Sequence, residues 1–155
     1  MTMKRRMFLK GSLAAGTVGV AVGAGLLTPS SVLAAWPKAA MEARSVEDAL
    51  NGVGLSGATE SGDIKIKAPD IAENGAVVPV TISTSMAGVT SMAIVIAKNG
   101  TPLSSTYELG KGTQAYISTR VKMGKTSDVM AIVKAGGKVL SAKKEVKVTI
   151  GGCGG

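Results

Sequence analysis

The amino-acid sequence predicts an all-β fold, an antiparallel β-sandwich of roughly a hundred residues. From residue 63 onward, apolar side chains alternate with polar ones, which is the pattern of strands with one buried face. Turns that contain glycine separate these stretches at short intervals. Beyond residue 34, helical periodicity is confined to one short stretch. These observations together predict about six to eight short strands and one helix.

The predicted helix lies in "RSVEDALNG", within the small, polar segment 35–62. Ser45 is a suitable N-cap, acidic residues follow in the first turn, and Gly52 is a stop signal. The apolar side chains of this stretch would share one face: Val46, Ala49 and Leu50. We therefore expect a short helix that docks on a larger body.

The first strands are predicted on either side of an "ENG" turn. "DIKIKAP" alternates isoleucine with lysine until Pro69 ends it, and "AVVPVTIST" places Val78, Val80 and Ile82 on one side. Pro79 lies on the other side and lacks an N–H group, so this strand is expected at a sheet edge or at a bulge.

The later strands are predicted from four further stretches. "TSMAIVIAK" is almost continuously apolar, which favours a central strand buried on both faces, and "KNGT" supplies a turn after it. "AYISTRVKM" alternates, and "GGK" is expected to join "SDVMAIVKA" to the last strands in "VLSAKKEVKVTI". In that final stretch Val146, Val148 and Ile150 would face inward, with Lys147 and Thr149 facing water.

The residue types exclude several kinds of catalytic site. The chain has no histidine and one cysteine, so the commonest acid–base group and any multi-cysteine metal site are missing. Asp63, Asp70 and Glu73 lie near one another in sequence, but each borders a turn, which favours solvated acids over a metal or catalytic pair. We expect no metal, no cofactor and no self-contained catalytic centre.

The only cysteine, Cys153, stands in the sequence "GGCGG" at the end of the chain. Gly151 and Gly152 precede it and Gly154 and Gly155 follow it, and glycine imposes the weakest conformational preference of any residue. A thiol here is expected at the tip of a narrow, flexible arm that fits the active sites of other proteins. The alternative is a disordered tail whose cysteine has no role.

The first 34 residues predict an export signal that is cleaved after Ala34. A basic start is followed by a glycine-rich, weakly apolar stretch, and small side chains at Val32 and Ala34 suit a signal peptidase. Arg5 and Arg6, followed by "MFLK", resemble the twin-arginine export signal, which implies a folded bacterial protein exported to the periplasm. A membrane anchor is the less favoured alternative because the stretch contains so much glycine.

The basic character of the chain is concentrated in that leader. The formal net charge of the whole chain is +8, but the part after residue 34 carries 14 basic and 10 acidic residues. Three aromatic residues remain there, Trp36, Tyr107 and Tyr116, which leaves little for base stacking. A nucleic-acid partner is not expected. The predicted organisation is a cleaved leader (1–34), an N-terminal segment (35–62), the sandwich domain (63–150) and the arm (151–155).

The carboxyl end resembles the SoxY family, the sulfur carriers of the bacterial thiosulfate-oxidising (Sox) system. The resemblance rests on "GGCGG", on "PDIAENGAVVPVTI" and on "STRVKMGKTSDVMAIVKAGGKVLSAKKEVKVTI", and it covers roughly residues 40–155. It implies an immunoglobulin-like sandwich that pairs with a second small β protein, SoxZ. It also implies that Cys153 is the covalent attachment site for sulfur intermediates and that the protein is a carrier and not an enzyme.

The resemblance implies three transient partners as well. A c-type cytochrome complex, SoxXA, would join thiosulfate oxidatively to the thiol of Cys153. A dimanganese hydrolase, SoxB, would release the terminal sulfonate as sulfate, and a molybdenum enzyme, SoxCD, where present, would oxidise the remaining sulfur. The carrier itself would need no cofactor.

Two other classes of protein stay open on the residues alone. A periplasmic thiol-redox protein would need a thiol of lowered pKa and a resolving cysteine, and neither is visible in the sequence. In a non-catalytic β-sandwich binding module, Cys153 would be dispensable. The sequence does not decide whether Cys153 also links two copies through a disulfide.

Lys143, Lys144 and Lys147 lie shortly before the arm. They are suited to attract anionic cargo or an acidic partner surface. The favoured interpretation is simpler, that they protect an edge strand from pairing with another chain.

Overall fold

The computed structural model describes residues 37–149, which form two short helices and nine strands. The helices are α1 (Lys38–Glu42) and α2 (Val46–Gly52). The strands are β1 (Thr59–Glu60), β2 (Ile64–Lys67), β3 (Ile71–Ala72), β4 (Val78–Thr84), β5 (Val89–Ile96), β6 (Leu103–Glu108), β7 (Tyr116–Val121), β8 (Ser127–Ala135) and β9 (Lys138–Val148).

The strands form two sheets, as the predicted sandwich requires. The larger sheet has the order β1-β9-β8-β5-β6, and the smaller one has the order β2-β4-β7. Neighbouring strands are antiparallel except for β1 and β3, which both pair with β9 in parallel. Each of these two parallel strands has only two residues, too few to show a hydrophobic period, so the sequence did not predict them.

The main core lies between the two sheets. From β4, Val78, Val80 and Ile82 are buried on one side of the strand, as the alternation predicts. The larger sheet adds apolar side chains from three strands: Met92, Ile94, Ile96, Val129, Ala131, Val133 and Val146. Burying each large aliphatic side chain contributes about 1.5–3 kcal/mol to folding, so this core is the main favourable contribution to the stability of the domain.

The helices cover the outer face of the larger sheet with a second core. Ala93 and Val95 of β5 are fully buried there with Ala49 of α2, and Leu50 of α2 is buried beside them. The prediction that β5 is buried on both faces is confirmed, as is the docked helix. Ser45 caps α2, since its Oγ accepts a hydrogen bond from the backbone N–H of Asp48 at 3.0 Å. The sequence did not predict α1, which has five residues and no side-chain cap.

The expected position of Pro79 is wrong. Its strand, β4, is the middle strand of the smaller sheet and not an edge, and its continuous pairing with β7 shows no bulge at Pro79. The proline is tolerated because β2 pairs only with the later part of β4, ending at Lys67 opposite Thr81. On that side the ladder has finished two residues before Pro79, so the missing N–H group removes no bond to β2.

The two predicted glycine hairpins differ in outcome. Gly136 and Gly137 have φ values of 55° and 78° and join β8 to β9, as a two-residue type I′ turn requires. Neither Asn99 nor Gly100 has a positive φ, and the β5–β6 connection is a longer loop closed by the Ile96 N–H on the Pro102 carbonyl at 2.8 Å. The final stretch is one long strand, β9, and not several.

Candidate functional site

The residues predicted to carry the chemistry lie outside the described part of the chain. Cys153 and its glycine neighbours Gly151, Gly152, Gly154 and Gly155 fall there, and so do Arg5, Arg6 and Ala34 of the predicted leader. The structure does describe the chain to Thr149, four positions before Cys153. We call Lys147–Thr149 the arm root, and we call the end of the sandwich where β9 finishes the arm end.

One edge of the arm root is held by β3. Lys147 donates its backbone N–H to the carbonyl of Asp70 at 3.0 Å, and Thr149 donates its N–H to the carbonyl of Ala72 at 3.1 Å. These bonds belong to a parallel ladder in which Ile71 lies opposite Lys147. Strand β3 is short, but it meets β9 at the last residues before the arm.

The opposite edge of the arm root is held by a side chain. The ladder between β8 and β9 ends with Ser127 opposite Val146, and Thr126 takes over beyond it. The N–H of Val148 donates to Oγ1 of Thr126 at 2.9 Å, and the same hydroxyl lies 3.5 Å from the carbonyl of Val148. The arm root is therefore bonded on both edges.

The loop between β3 and β4 packs closely against the arm root. Gly75 accepts a hydrogen bond from the N–H of Met123 at 2.6 Å. A Cβ at Gly75 would lie 2.8 Å from Cγ1 of Val148 and would collide with the carbonyl oxygen of Met123. Asn74 shapes the same loop, because its Oδ1 accepts from the N–H of Ala76 at 2.9 Å. Only glycine permits this close approach.

Asn99 braces the arm end from the other side. Its Nδ2 donates to the carbonyl of Lys122 at 2.7 Å, and its Oδ1 accepts from the N–H of Gly124 at 3.1 Å. The side chain thus joins the β5–β6 loop to the β7–β8 loop. The sequence indicated Asn99 only as a turn former, and no local pattern signals a bond to residues more than twenty positions away.

The three lysines before the arm have different surroundings. Lys144 donates to the carbonyl of Ala68 at 2.7 Å and forms an ion pair with Oδ1 of Asp70 at 3.0 Å, with its side chain 33% exposed. It closes the stretch of the β9 edge that lies between β1 and β3. Lys143 and Lys147 are exposed. Lys144 therefore supports the fold through its bonds to Ala68 and Asp70. Of these three lysines, Lys143 and Lys147 are the ones available to attract anions.

The acidic residues of the β2–β4 region do not converge. Asp63, Asp70 and Glu73 are all exposed. Within residues 37–149, no three histidine, cysteine, aspartate or glutamate side chains lie close enough together to hold a metal ion. The two helices of this part, at five and seven residues, lack the length and apolar character that a membrane crossing needs.

Replacing Thr126 by Val is expected to loosen the arm root. The valine keeps the size and β-branching of threonine but leaves the N–H of Val148 without its acceptor, which costs about 1–3 kcal/mol when the group is shielded from water. Chemical denaturation would show lower stability, and amide hydrogen exchange would show faster exchange at Val148. Thr119→Val is the control, because the Thr119 hydroxyl makes no hydrogen bond within the described residues. Equal exchange at Val148 in both variants would contradict the role of Thr126.

Comparisons with known proteins place this architecture. A family model described as sulfur oxidation protein SoxY matches residues 51–153. The solved structure of the sulfur carrier protein SoxY from Chlorobium limicola f thiosulfatophilum is 40% identical, with a TM-score of 0.59, and the match covers 66% of this chain and 96% of that one. Comparison with curated protein sequences gave no match.

A second solved structure shares the fold only. It is a superoxide reductase (neelaredoxin) from Ignicoccus hospitalis, 16% identical with a TM-score of 0.50, and the match covers 64% of this chain and 87% of that one. The SoxY match is more extensive and more specific. The identity to the solved SoxY structure is 40%, and the family model covers the sandwich and the sequence that follows it up to Cys153. The chain belongs to the SoxY family of sulfur oxidation proteins, which supports a role as a sulfur carrier.

Proposed function

We propose that the protein carries sulfur intermediates of thiosulfate oxidation as covalent adducts on the thiol of Cys153. The observation that carries this proposal is the extent of the family match, which runs through the sandwich and ends at Cys153 itself. The only thiol of the chain thus falls inside the region that the family model matches, four residues beyond a root bonded on both edges.

The chemistry of the proposed cycle needs only a thiol on the carrier. Joining thiosulfate to the thiol forms a sulfur–sulfur bond, gives Cys153–S–S–SO3⁻, and releases one proton and two electrons to an oxidant. Hydrolysis of the terminal S–S bond releases sulfate and two protons and leaves a persulfide anion on Cys153. Partner enzymes supply the oxidant and the hydrolytic centre, so the carrier needs no cofactor and catalyses neither step.

The arm root is the fixed point from which the reach of Cys153 and its cargo is measured. Thr149 is tied to β3, and the four residues from there to Cys153 span at most about 13–14 Å when fully extended. Glycine flanks make the thiol narrow enough for a slot in a partner enzyme. A covalent bond prevents loss of the intermediate while one carrier visits several active sites.

The partners and compartment follow from the same proposal. The carrier pairs with SoxZ and meets SoxXA, SoxB and SoxCD in turn. Export by the twin-arginine route, directed by Arg5 and Arg6 with cleavage after Ala34, delivers it to the periplasm. The proposal includes neither a nucleic-acid partner nor a membrane-bound form of the mature protein.

The proposal is tested by the intact mass of the exported protein, measured before and after reduction. After incubation with thiosulfate and the partner cytochrome, we expect a mass increase of one thiosulfate, reversed by reduction and mapped to Cys153 by peptide analysis. A mass that stays unmodified under these conditions would overturn the carrier function and favour a plain binding module. A disulfide between two copies as the sole product would favour thiol-redox chemistry.

A further inference from the structure

A basic pocket opens at the arm end, and neither the carrier chemistry nor the family match assigns it a role. It has a volume of about 290 Å³ and lies between the corner that joins α1 to α2, the β5–β6 loop and the β7–β8 loop. Its lining residues are Arg44, Asn99, Gly100, Thr101, Lys122 and Gly124. Two of these six residues are cationic and none is acidic, so the pocket favours an anion.

The walls of the pocket are fixed by hydrogen bonds that leave the cations available. The side-chain amide of Asn99 donates to the carbonyl of Lys122 and accepts from the N–H of Gly124, and these two bonds set the spacing of the two loops. Arg44 donates one Nη1–H to the carbonyl of Gly100 at 3.4 Å, which ties the guanidinium to the rim. A guanidinium has five N–H donors, so most of the fork that matches oxyanions is not used by this bond.

The pocket is within reach of the arm. Thr126 bonds to Val148 of the arm root, and Gly124 of the pocket wall is two residues from Thr126, or at most about 7 Å along the chain. The four residues from Thr149 to Cys153 span up to about 13–14 Å. An adduct on Cys153 therefore reaches the near wall of the pocket without any change in the sandwich.

We propose that this pocket binds the terminal sulfonate of the cargo on Cys153, with Arg44 and Lys122 as the groups that contact the oxyanion. This inference rests on the proposed carrier function. A tetrahedral, anionic end group matches the guanidinium fork, and the ammonium adds charge from the facing loop. Bound in this way, the loaded arm rests against its own carrier between partners, and its S–S bond is shielded from stray thiols.

The test compares two chemically loaded forms of the exported protein. Tetrathionate reacts with the thiolate of Cys153 to give Cys153–S–S–SO3⁻ and releases thiosulfate. Methyl methanethiosulfonate gives the neutral Cys153–S–S–CH3 and releases methanesulfinate. We expect the backbone amide signals of Gly100, Lys122 and Gly124 to shift in the sulfonate form and not in the methyl form. The shifts should shrink at about 1 M salt, where the screening length falls to about 3 Å.

Charge-neutral variants separate this pocket from general basicity. In the double variant Arg44→Gln/Lys122→Gln we expect the shifts to vanish and added thiol to remove the sulfonate cargo about two- to thirtyfold faster, the range for two exposed charge contacts. The control is Lys111→Gln/Lys138→Gln, which removes two exposed lysines from the opposite end of the sandwich and should behave like the unaltered protein.

Three outcomes would overturn the proposal. They are equal shifts for the two loaded forms, shifts that persist in the Arg44→Gln/Lys122→Gln variant, and a loss of partner binding in that variant with unchanged unloading. The last result would assign the pocket to an acidic partner surface. Because tetrathionate loads the thiol without any Sox enzyme, failure of enzymatic loading would reject the carrier function and leave the result on the pocket standing.

Discussion

Replacement of Cys153 by Ser is expected to abolish thiosulfate turnover in a reconstituted mixture while leaving the fold and the pairing with SoxZ unchanged. The hydroxyl oxygen cannot form the sulfur–sulfur bond that holds the cargo, and a serine hydroxyl is a weak nucleophile without an adjacent base. Stability should be unaffected, because the substitution exchanges one side-chain atom, sulfur for oxygen, and leaves every residue of the described core unchanged. Turnover would be followed as sulfate production, and folding by thermal denaturation.

A displaced thiol provides the matched control for this prediction. Ser85 is exposed in the turn between β4 and β5, at the opposite end of the sandwich from the arm root. Introducing Ser85→Cys into the Cys153→Ser protein restores a reactive thiol but not its position, so turnover should remain absent. Sulfate production by Cys153→Ser alone would reject the carrier function, and production by the displaced thiol would show that the arm has no special role.

Gly75→Ala is expected to cause the largest loss of stability among single substitutions at the arm end. The added methyl group would collide with the carbonyl of Met123 and lie 2.8 Å from Cγ1 of Val148, so the loop or the arm root must move. Overpacking of this kind costs about 1–3 kcal/mol. The movement should also break the bond from the N–H of Met123 to the carbonyl of Gly75 and weaken the hold on Thr149.

Urea denaturation and amide hydrogen exchange would measure these two effects. We expect a lower unfolding midpoint and faster exchange at Met123 and Thr149. Gly62→Ala is the control, because a Cβ at Gly62 meets no atom within 4 Å and its φ is not positive. If the two alanine variants had the same midpoint and the same exchange at Thr149, close packing at Gly75 would not hold the arm root.

The sequence was informative where one residue determines local geometry or where a period runs over several residues. Ser45 caps its helix, as its residue type predicts. Gly136 and Gly137 both have a positive φ, as the predicted two-residue hairpin turn requires. The run in β5 predicted burial on both faces because its apolar residues are continuous. These features depend on neighbours in sequence, and sequence shows them directly.

The features that position the arm root depend on partners distant in sequence. Thr126 bonds to a residue 22 positions away, and Lys144 reaches a carbonyl 76 positions away. The parallel strands β1 and β3 are defined only by their pairing with β9. The missing N–H of Pro79 predicted an edge strand. The proline is instead tolerated inside the sheet because the neighbouring β2 is too short to pair with it. Cys153 was predicted as a site residue from its unusual neighbours and stays a prediction, whereas Arg44 carried no local signal.

The way β9 is paired also has a mechanical consequence. Strand β9 runs without a break from its hairpin with β8 to the arm root, and nine consecutive residue pairs join it to β8. Antiparallel hydrogen bonds lie perpendicular to the strand. A force applied to Thr149 along the axis of β9 therefore acts in shear on many of these bonds at once. Strand β3 adds hydrogen bonds on the other edge of β9 that resist the same force. If the protein carries cargo as proposed, an enzyme that held the cargo would load the sheet along the direction in which it resists best, and the sandwich would keep its shape during transfer.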